Sequence, residues 1–394
     1  MAQEQIRIEK IRVKELHDFA CRILDRTKDN DIIPISKHRA LAYSKNPYAD
    51  DNDIGLLVAY MGNKCIGYLG IMPGLLRTGN KFSKVYWFST WYVPLEFRKT
   101  SVGSLLMMNA LSVKYDFLAN APGMSREAQR VYRALHFHEL GPLDYYMITV
   151  ERLNWFYVAF RLLQRILNKI GIDFEILDNL TRASVFIFTP IRRIIYDLLL
   201  HNQANQQIKN ISYKEVSEID DYLMQIKHRA NSTGFYRDTD IINWMLKYKW
   251  ILEPDKIETP KLNYRFAYVQ DVFRYIALKV YSPDGKDYKG FMVLSVSSEN
   301  LKTVLKVLDF CFLNRDDYKY IVSLALKYAR TYKATNIVLP GSLATYIKDG
   351  VLMKFLLHKE YIFYFCHPKS RNSPLATSLN DIELQFCDGD IPFW

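Results

Sequence analysis

The sequence has few of the features that mark secreted, metal-binding and membrane-spanning proteins. Its 394 residues include only five cysteines, which are scattered, odd in number and without a C-x-x-C pair. This pattern argues against a zinc site and a disulfide framework, and it favours a reducing compartment. The first residues show no basic or apolar leader, so we expect a cytoplasmic protein. We also expect no metal cofactor.

Composition and charge narrow the class of protein. Apolar residues make up 49% of the chain and charged residues 24%, which is typical of a folded globular protein. The length exceeds that of one ordinary core and predicts two domains with a connector. A formal net charge of +11 favours a polyanionic partner, which can be a CoA-like molecule, a nucleic acid or an anionic membrane. Charge alone does not choose among them.

The most informative stretch lies between residues 85 and 113. Val85–Val93 is β-branched and aromatic and predicts a strand, Pro94 ends it, and Ser101–Val113 has the apolar spacing of a helix. The first amides of a helix lack intrahelical acceptors and lie at the positive end of its dipole. Together with Arg98 and Lys99 they form a cradle suited to a diphosphate.

The heptad Arg98-Lys99-Thr100-Ser101-Val102-Gly103-Ser104 resembles the acyl-CoA pyrophosphate loop of GCN5-related N-acetyltransferases, whose pattern is Arg/Gln-x-x-Gly-x-Gly/Ala. Arg98 and Gly103 match this pattern, and Ser101 stands where the family prefers its first glycine. The resemblance implies that this chain binds acyl-CoA, with acetyl-CoA as the expected co-substrate. Its predicted contacts are Arg98, Lys99, Thr100, Ser101, Val102, Gly103 and Ser104.

A second segment resembles the family motif Asn-x-x-Ala-x-x-Leu-Tyr-x-x-x-Gly-Phe. Ala128, Tyr132 and Phe137 match it, while Ser125 replaces the asparagine. The resemblance makes Tyr132 the general acid that protonates the departing thiolate, and the alternative is a tyrosine that only packs in the core. Ser125 either contacts the pantetheine arm of CoA or serves only as a helix N-cap.

The order of predicted elements over residues 1–150, β-α-β-β-β-α-β-α-β, also matches this family. By that resemblance, the exposed edge at Trp91, Tyr92 and Val93 pairs with the pantetheine arm. The backbone N–H of Val93 then polarises the thioester carbonyl.

The rest of the chain predicts a connector and a second copy of the fold. Region 151–210 is a basic amphipathic helical connector that either lies against an anionic membrane or packs between domains. Region 211–394 repeats the order of elements without a glycine cradle after Phe310. The predicted fold class is therefore α+β, with two GNAT-like domains of mixed, mostly antiparallel sheet flanked by helices. This arrangement resembles Eis-type acetyltransferases and N-myristoyltransferases.

No general base is evident near the predicted strand, but the chain ends in Ile-Pro-Phe-Trp394 after a predicted strand at Ile382–Phe386. In the tandem families the C-terminal carboxylate serves as base. The resemblance thus implies that the Trp394 carboxylate accepts the proton, assisted by Asp388 or Asp390. The alternative is that these aromatic residues only seal the second core.

The predicted function is an acyl-CoA-dependent N-acyltransferase that transfers directly to a small-molecule or peptide amine. One alternative is an aminoacyl-tRNA-dependent peptidyltransferase of the Fem type, against which the CoA loop argues. Another is a non-catalytic protein that binds CoA as a ligand. The identity of the acceptor and the oligomeric state stay open.

Overall fold

The computed structural model describes residues 5–26, 31–120, 125–150, 175–220, 234–256, 264–266, 269–300, 302–347, 356–368, 382 and 384–390. Contacts divide the chain into two compact units. The first comprises Met1–Leu143, Glu215–Ala277 and Tyr361–Trp394, and the second comprises Asp144–Lys214 and Leu278–Glu360. This grouping does not test the predicted boundaries 1–150, 151–210 and 211–394, which stay a prediction.

The secondary structure alternates between strands and helices along the chain. The α-helices are α1 (Leu16–Arg26), α2 (Lys37–Ser44), α3 (Val102–Leu111), α4 (Arg126–Ala134), α5 (Glu175–Ile208), α6 (Thr239–Lys247) and α7 (Tyr318–Thr331). The strands are β1 (Ile6–Arg12), β2 (Ile54–Met61), β3 (Lys64–Thr78), β4 (Lys81–Tyr92), β5 (Phe117–Asn120), β6 (His138–Thr149), β7 (Ser212–Val216), β8 (Gly234–Phe235), β9 (Val272–Tyr281), β10 (Tyr288–Glu299), β11 (Lys302–Phe312), β12 (Asn336–Pro340) and β13 (Leu357–Pro368).

The strands of the first unit follow the order β1-β2-β3-β4-β5-β13. β1 to β4 form an antiparallel meander, whereas β4 and β5 are parallel. Parallel neighbours need a crossover connection, and α3 provides it. The predicted strand, helix and strand between residues 85 and 119 are therefore confirmed.

The main core of the first unit lies on the face of the sheet that α3 and α4 cover. Val102 and Leu106 of α3 pack there with Tyr86 and Phe88 of β4. Because successive side chains of a strand point to opposite faces, Trp87 and Ser89 lie on the other face. The two faces of β4 are thus chemically distinct surfaces.

The second unit repeats part of this plan. Its strands follow the order β6-β12-β11-β10-β9-β7, and β11 and β12 are parallel with α7 between them. α5 packs along α7. Among the helices of the described residues, none is both long and apolar enough to cross a membrane. The predicted membrane contact of region 151–200 stays a prediction.

Several sequence-based expectations need correction or lie outside the described residues. The strand predicted at Ile382–Phe386 is wrong, because its described residues form no strand and a turn begins at Phe386. Where a helix was predicted over Leu343–Leu356, the described residues form the 3-10 helix Gly341–Tyr346. The helix predicted over 151–170 lies outside the described residues. Helix α2 was not predicted.

Candidate active site

A bulge interrupts β4 near its C-terminal end. Tyr92 pairs with Tyr68 and Ser89 pairs with Gly70, so β4 has one more residue than β3 between these pairs. Thr90 has a φ of 57°, which is uncommon for a β-branched residue. A Cβ on Gly70 would lie 2.7 Å from Oγ1 of Thr90 and 2.9 Å from the carbonyl oxygen of Ser89. Glycine at position 70 therefore leaves the room that the bulge requires.

β4 extends beyond its pairing with β5. The parallel pairs run from Val85–Phe117 to Phe88–Asn120, while β4 itself ends at Tyr92. Within the described residues, the last part of β4 has no strand partner on this edge. An extended ligand that carries amide groups can pair with such an edge.

The start of α3 lies beside this edge. A Cβ on Gly103 would lie 3.7 Å from Cζ2 of Trp91 and 4.0 Å from Cγ2 of Val93. These are ordinary van der Waals distances, so protein packing does not require glycine there. Nε of Arg98 donates to the carbonyl oxygen of Val93 at 3.1 Å. The structure thus brings Trp91, Val93, Arg98 and Gly103 together.

The predicted cradle residues differ in what they can offer a ligand. The side chain of Val102 is fully buried, so only its backbone can contribute. The Val102 amide has a long contact of 3.4 Å with Oγ1 of Thr100. The solvent-exposed members of the cradle are Arg98, Lys99, Thr100, Ser101 and Ser104. An anion in solution can therefore reach the positive end of α3.

Tyr132 is buried behind this edge, with 1% of its surface exposed. Its hydroxyl donates to Oδ1 of Asn120 at 3.1 Å. The ring stacks on Phe88 and Phe365, and its centroid lies 6.1 Å from that of Trp91. Burial raises the pKa of the Tyr132 phenol. Tyr132 therefore packs in the core, as the alternative interpretation expected. Its role as a general acid stays a prediction.

Ser125 and Trp394 are two further predicted site residues. The Ser125 hydroxyl accepts from the amide of Ala128 at 3.2 Å, so Ser125 is the N-cap of α4. Its contact with CoA stays a prediction. Trp394 lies outside the described residues.

A buried ion pair lies on the opposite face of β4. Nη2 of Arg39 is 3.1 Å from Oδ2 of Asp390, and both side chains are less than one-tenth exposed. The Ser89 hydroxyl donates to the same carboxylate and lies 3.0 Å from Nη2 of Arg39. Nη1 of Arg39 donates to the Tyr264 hydroxyl at 3.1 Å. Because Ser89 adjoins the bulge, this cluster places a carboxylate there across the sheet from α3.

Asp388 forms a separate buried pair. Its carboxylate bonds to Nη1 of Arg237 and accepts from the backbone amide of Gln385 at 2.6 Å. Arg237 also donates to the carbonyl oxygen of Phe235 at 3.2 Å. Of the two aspartates named from the sequence, Asp390 is the one that bonds to β4.

Sequence reasoning missed Arg39, Ser89 and Tyr264. The sequence contains a signal for the start of α2, because serine is a favoured N-cap residue. The Ser36 hydroxyl caps this helix by accepting from the amide of Arg39. Gly70 gave a signal for the bulge, since an isolated glycine inside a strand often marks one. No local signal predicts that Arg39 pairs with Asp390.

In the second unit, acidic side chains precede the corresponding helix start. α7 follows β11 as α3 follows β4, and Asp317 adjoins its first residue. The buried Asp317 carboxylate lies 3.2 Å from Nζ of Lys289. The Asn314 side chain accepts from the amide of Asp316. A carboxylate at this position disfavours a second anion.

The fold is the one that GCN5-related N-acetyltransferases share. No protein-family model and no curated sequence matches the chain. It is similar to a GCN5-related N-acetyltransferase from Kribbella flavida, with a TM-score of 0.50 and 11% identity over 92% of this chain and 71% of that one. This likeness confirms the predicted fold class, α+β with two such domains.

Two further solved structures are similar to the chain. One is a GCN5-related N-acetyltransferase from Anabaena variabilis ATCC 29413, with a TM-score of 0.49 and 10% identity over 93% of this chain and 73% of that one. The other is the Saccharomyces cerevisiae N-myristoyltransferase with bound myristoyl-CoA, with a TM-score of 0.49 and 10% identity over 98% of this chain and 90% of that one.

Proposed function

We propose that the protein is an acyl-CoA-dependent N-acyltransferase that transfers an acyl group directly to an amine. The observation that carries this proposal is the juxtaposition of the open edge of β4 and the exposed start of α3. CoA has two chemically different parts that these features match. The amides of its pantetheine arm can pair with the edge, and its pyrophosphate is an anion that the helix start favours.

The first unit binds CoA in this proposal. The pyrophosphate lies at the first amides of α3, where Arg98 and Lys99 add positive charge. Because Gly103 has no Cβ, a ligand can approach the backbone of α3 there. Packing within the protein does not itself require glycine at this position. The pantetheine arm pairs with the edge at Trp91, Tyr92 and Val93, and Ser125 contacts it from the start of α4. The remaining predicted contacts are Thr100, Ser101, Val102 and Ser104.

The chemical step exchanges a C–S bond for a C–N bond. The amine attacks the thioester carbon, and the backbone N–H of Val93 stabilises the negative charge on the carbonyl oxygen. The proton that the amine loses passes through the Ser89 hydroxyl to Asp390. The leaving thiolate takes a proton from Tyr132, so the products are an amide and the CoA thiol.

Asp390 is the base that we favour, and the Trp394 carboxylate stays a second candidate. The Ser89 hydroxyl already donates to Asp390, which gives a path from the bulge to the carboxylate. Asp388 is less suited to this role, because Arg237 and a backbone amide hold its two oxygens.

We propose acetyl as the transferred group and a small-molecule or peptide amine as the acceptor. Aromatic rings fill the core behind the edge, and the centroid of Tyr132 lies 6.4 Å from that of Phe88 and 5.9 Å from that of Phe365. Such packing suits a short acyl group. The cytoplasm remains the proposed location, which is favoured by five scattered cysteines without a C-x-x-C pair.

A transfer assay tests this function. The purified chain is incubated with acetyl-CoA and a panel of amines, while thiol release and the mass of the acylated amine are followed. We expect both signals to appear together. Aminoacyl-tRNA serves as the competing donor, and transfer from it alone would overturn the proposal. Binding of CoA without transfer to any amine would support a non-catalytic role instead.

A further inference from the structure

A cleft opens on the face of β4 that carries Ser89. It lies in the first unit between β3, β4 and α6, with the turn at 387–389 at its rim. Residues that are mainly apolar line it, among them Met72, Trp87, Phe235, Ile241, Ile242 and Met245. Ligand sites are commonly concave and lined in this way.

Two aromatic rings line part of the cleft. The ring centroids of Trp87 and Phe235 lie 4.3 Å apart, and the ring planes are tilted by 54° to each other. A Cβ on Gly74 would lie 2.9 Å from Nε1 of Trp87, so the glycine lets the indole lie close against β3. Aromatic groups pack against such rings in edge-to-face or offset arrangements, so this part of the cleft suits a planar apolar ring.

Tyr48 brings an unsatisfied polar atom to the same cleft. Its hydroxyl is buried and makes no hydrogen bond of ordinary geometry within the described residues, although Asp238 lies near it. Burial, and next the charge of Asp238, raises the pKa of Tyr48, so the hydroxyl stays neutral and can donate. A buried polar group without a partner costs free energy, which a ligand with an acceptor atom can offset.

The charges in the cleft are balanced. Asp388 and Arg237 line it, and they bond to each other. A polycationic ligand therefore gains little from this lining, because the carboxylate is already neutralised by the guanidinium.

The cleft lies close to the proposed site of proton transfer. Trp87 precedes Ser89 by two residues on the same face of β4, which corresponds to about 7 Å along a strand. A ligand whose amino group lies at Ser89 can therefore place its body against Trp87. The ligand then approaches β4 from the face opposite the one that α3 and α4 cover.

We infer that the cleft binds the apolar body of the amine acceptor, which is then a hydrophobic amine with a planar group. Its amino group points to Ser89 and Asp390, and a polar atom at its far end meets the Tyr48 hydroxyl. This inference rests on the proposed acyltransferase function and adds the class of its acceptor.

Calorimetric titration of the full chain with tryptamine, tyramine, phenethylamine and spermidine tests the inference without catalysis. We expect the three aromatic amines to bind and spermidine to bind more weakly. Ile241→Trp fills the cleft and should raise the Kd of tryptamine at least about tenfold. Met108→Trp is the matched control, because Met108 lies on α3 and is 66% exposed. It should change the Kd of tryptamine less than about twofold.

Met72→Trp fills the cleft from the β3 side, because Met72 pairs with Trp87 on the same face, and it gives the same test if Ile241→Trp does not fold. Tyr48→Phe should remove the advantage of tyramine over phenethylamine, which we expect to be about three- to tenfold. Equal tryptamine affinity in the wild type and both filled variants would overturn the inference, as would binding of spermidine alone. A melting shift with CoA is measured in parallel. If the wild type binds tryptamine but shows no melting shift with CoA, the acyltransferase proposal is contradicted and the inference about the cleft is not.

Discussion

The guanidinium of Arg39 and the carboxylate of Asp390 form a buried ion pair at 3.1 Å, although 351 residues separate them in the chain. Removal of one partner leaves an uncompensated buried charge, which costs about 3–5 kcal/mol. We expect Asp390→Asn to lower the free energy of unfolding by a large part of this amount. Arg39→Met combined with Asp390→Leu should restore much of it.

Denaturant unfolding of the wild type, the single variants Arg39→Met and Asp390→Leu, and their double variant measures this coupling. Additive effects of the two single variants would show that the pair contributes no coupling. Activity gives a second test, because the double variant should stay inactive while it regains stability if Asp390 is the base.

Gly103→Glu should prevent CoA binding. The change places a bulky anion where the pyrophosphate is proposed to lie, so like charges repel. CoA at about a hundred times its Kd adds roughly 2.7 kcal/mol of stability, and the matching rise in Tm should vanish in this variant. A Tm shift equal to that of the wild type would move the CoA site elsewhere.

Tyr132→Phe should reduce kcat by about a hundredfold if the hydroxyl donates the proton. CoA affinity should change little, because the ring and its stacking remain. The lost hydrogen bond to Asn120 also lowers stability, so Tm is measured beside the kinetics. Turnover at the wild-type rate would limit Tyr132 to packing.

Alanine at two glycine positions should have opposite effects. Gly70→Ala places a Cβ 2.7 Å from Oγ1 of Thr90, and we expect a loss of about 1–3 kcal/mol. Gly103→Ala meets only ordinary contacts within α3, and it should be neutral or stabilise by up to about 1 kcal/mol. Urea unfolding of both variants checks the pair. A tolerated Gly70→Ala would mean that the bulge can rearrange.

Stability should fall in alkaline solution. Burial raises the pKa of Tyr43, Tyr132 and Tyr264 above the usual 10.0 in the folded chain. The unfolded chain loses these protons first, so their contribution is complete below pH 10 and is lost as pH rises above it. Tyrosinate absorbance and circular dichroism should then change together. Full ionisation of the tyrosines with no change in circular dichroism would contradict this expectation.

The sequence predicted those parts of the fold that local pattern determines. The strand before Pro94 and the helix that contains Gly103 follow from side-chain spacing and turn chemistry, and both are present. The buried cluster at Ser89 could not be predicted, because it depends on Arg39 meeting Asp390, and no periodicity encodes a contact at that separation. The predicted strand at Ile382–Phe386 failed for the same reason, since the turn there is held by Asp388 and Arg237.

The discontinuity of the first unit has a consequence for synthesis on the ribosome. β5 pairs with β13 through Asn120 and Phe365, and Ser89 bonds to Asp390. The chain emerges at about 5–20 residues per second, so the segment with Ser89 precedes its final partner by roughly 15 seconds to one minute. The second unit, whose last segment ends at Glu360, is fully translated before the first unit receives Asp390. The unit that begins translation first is therefore the last to be completed.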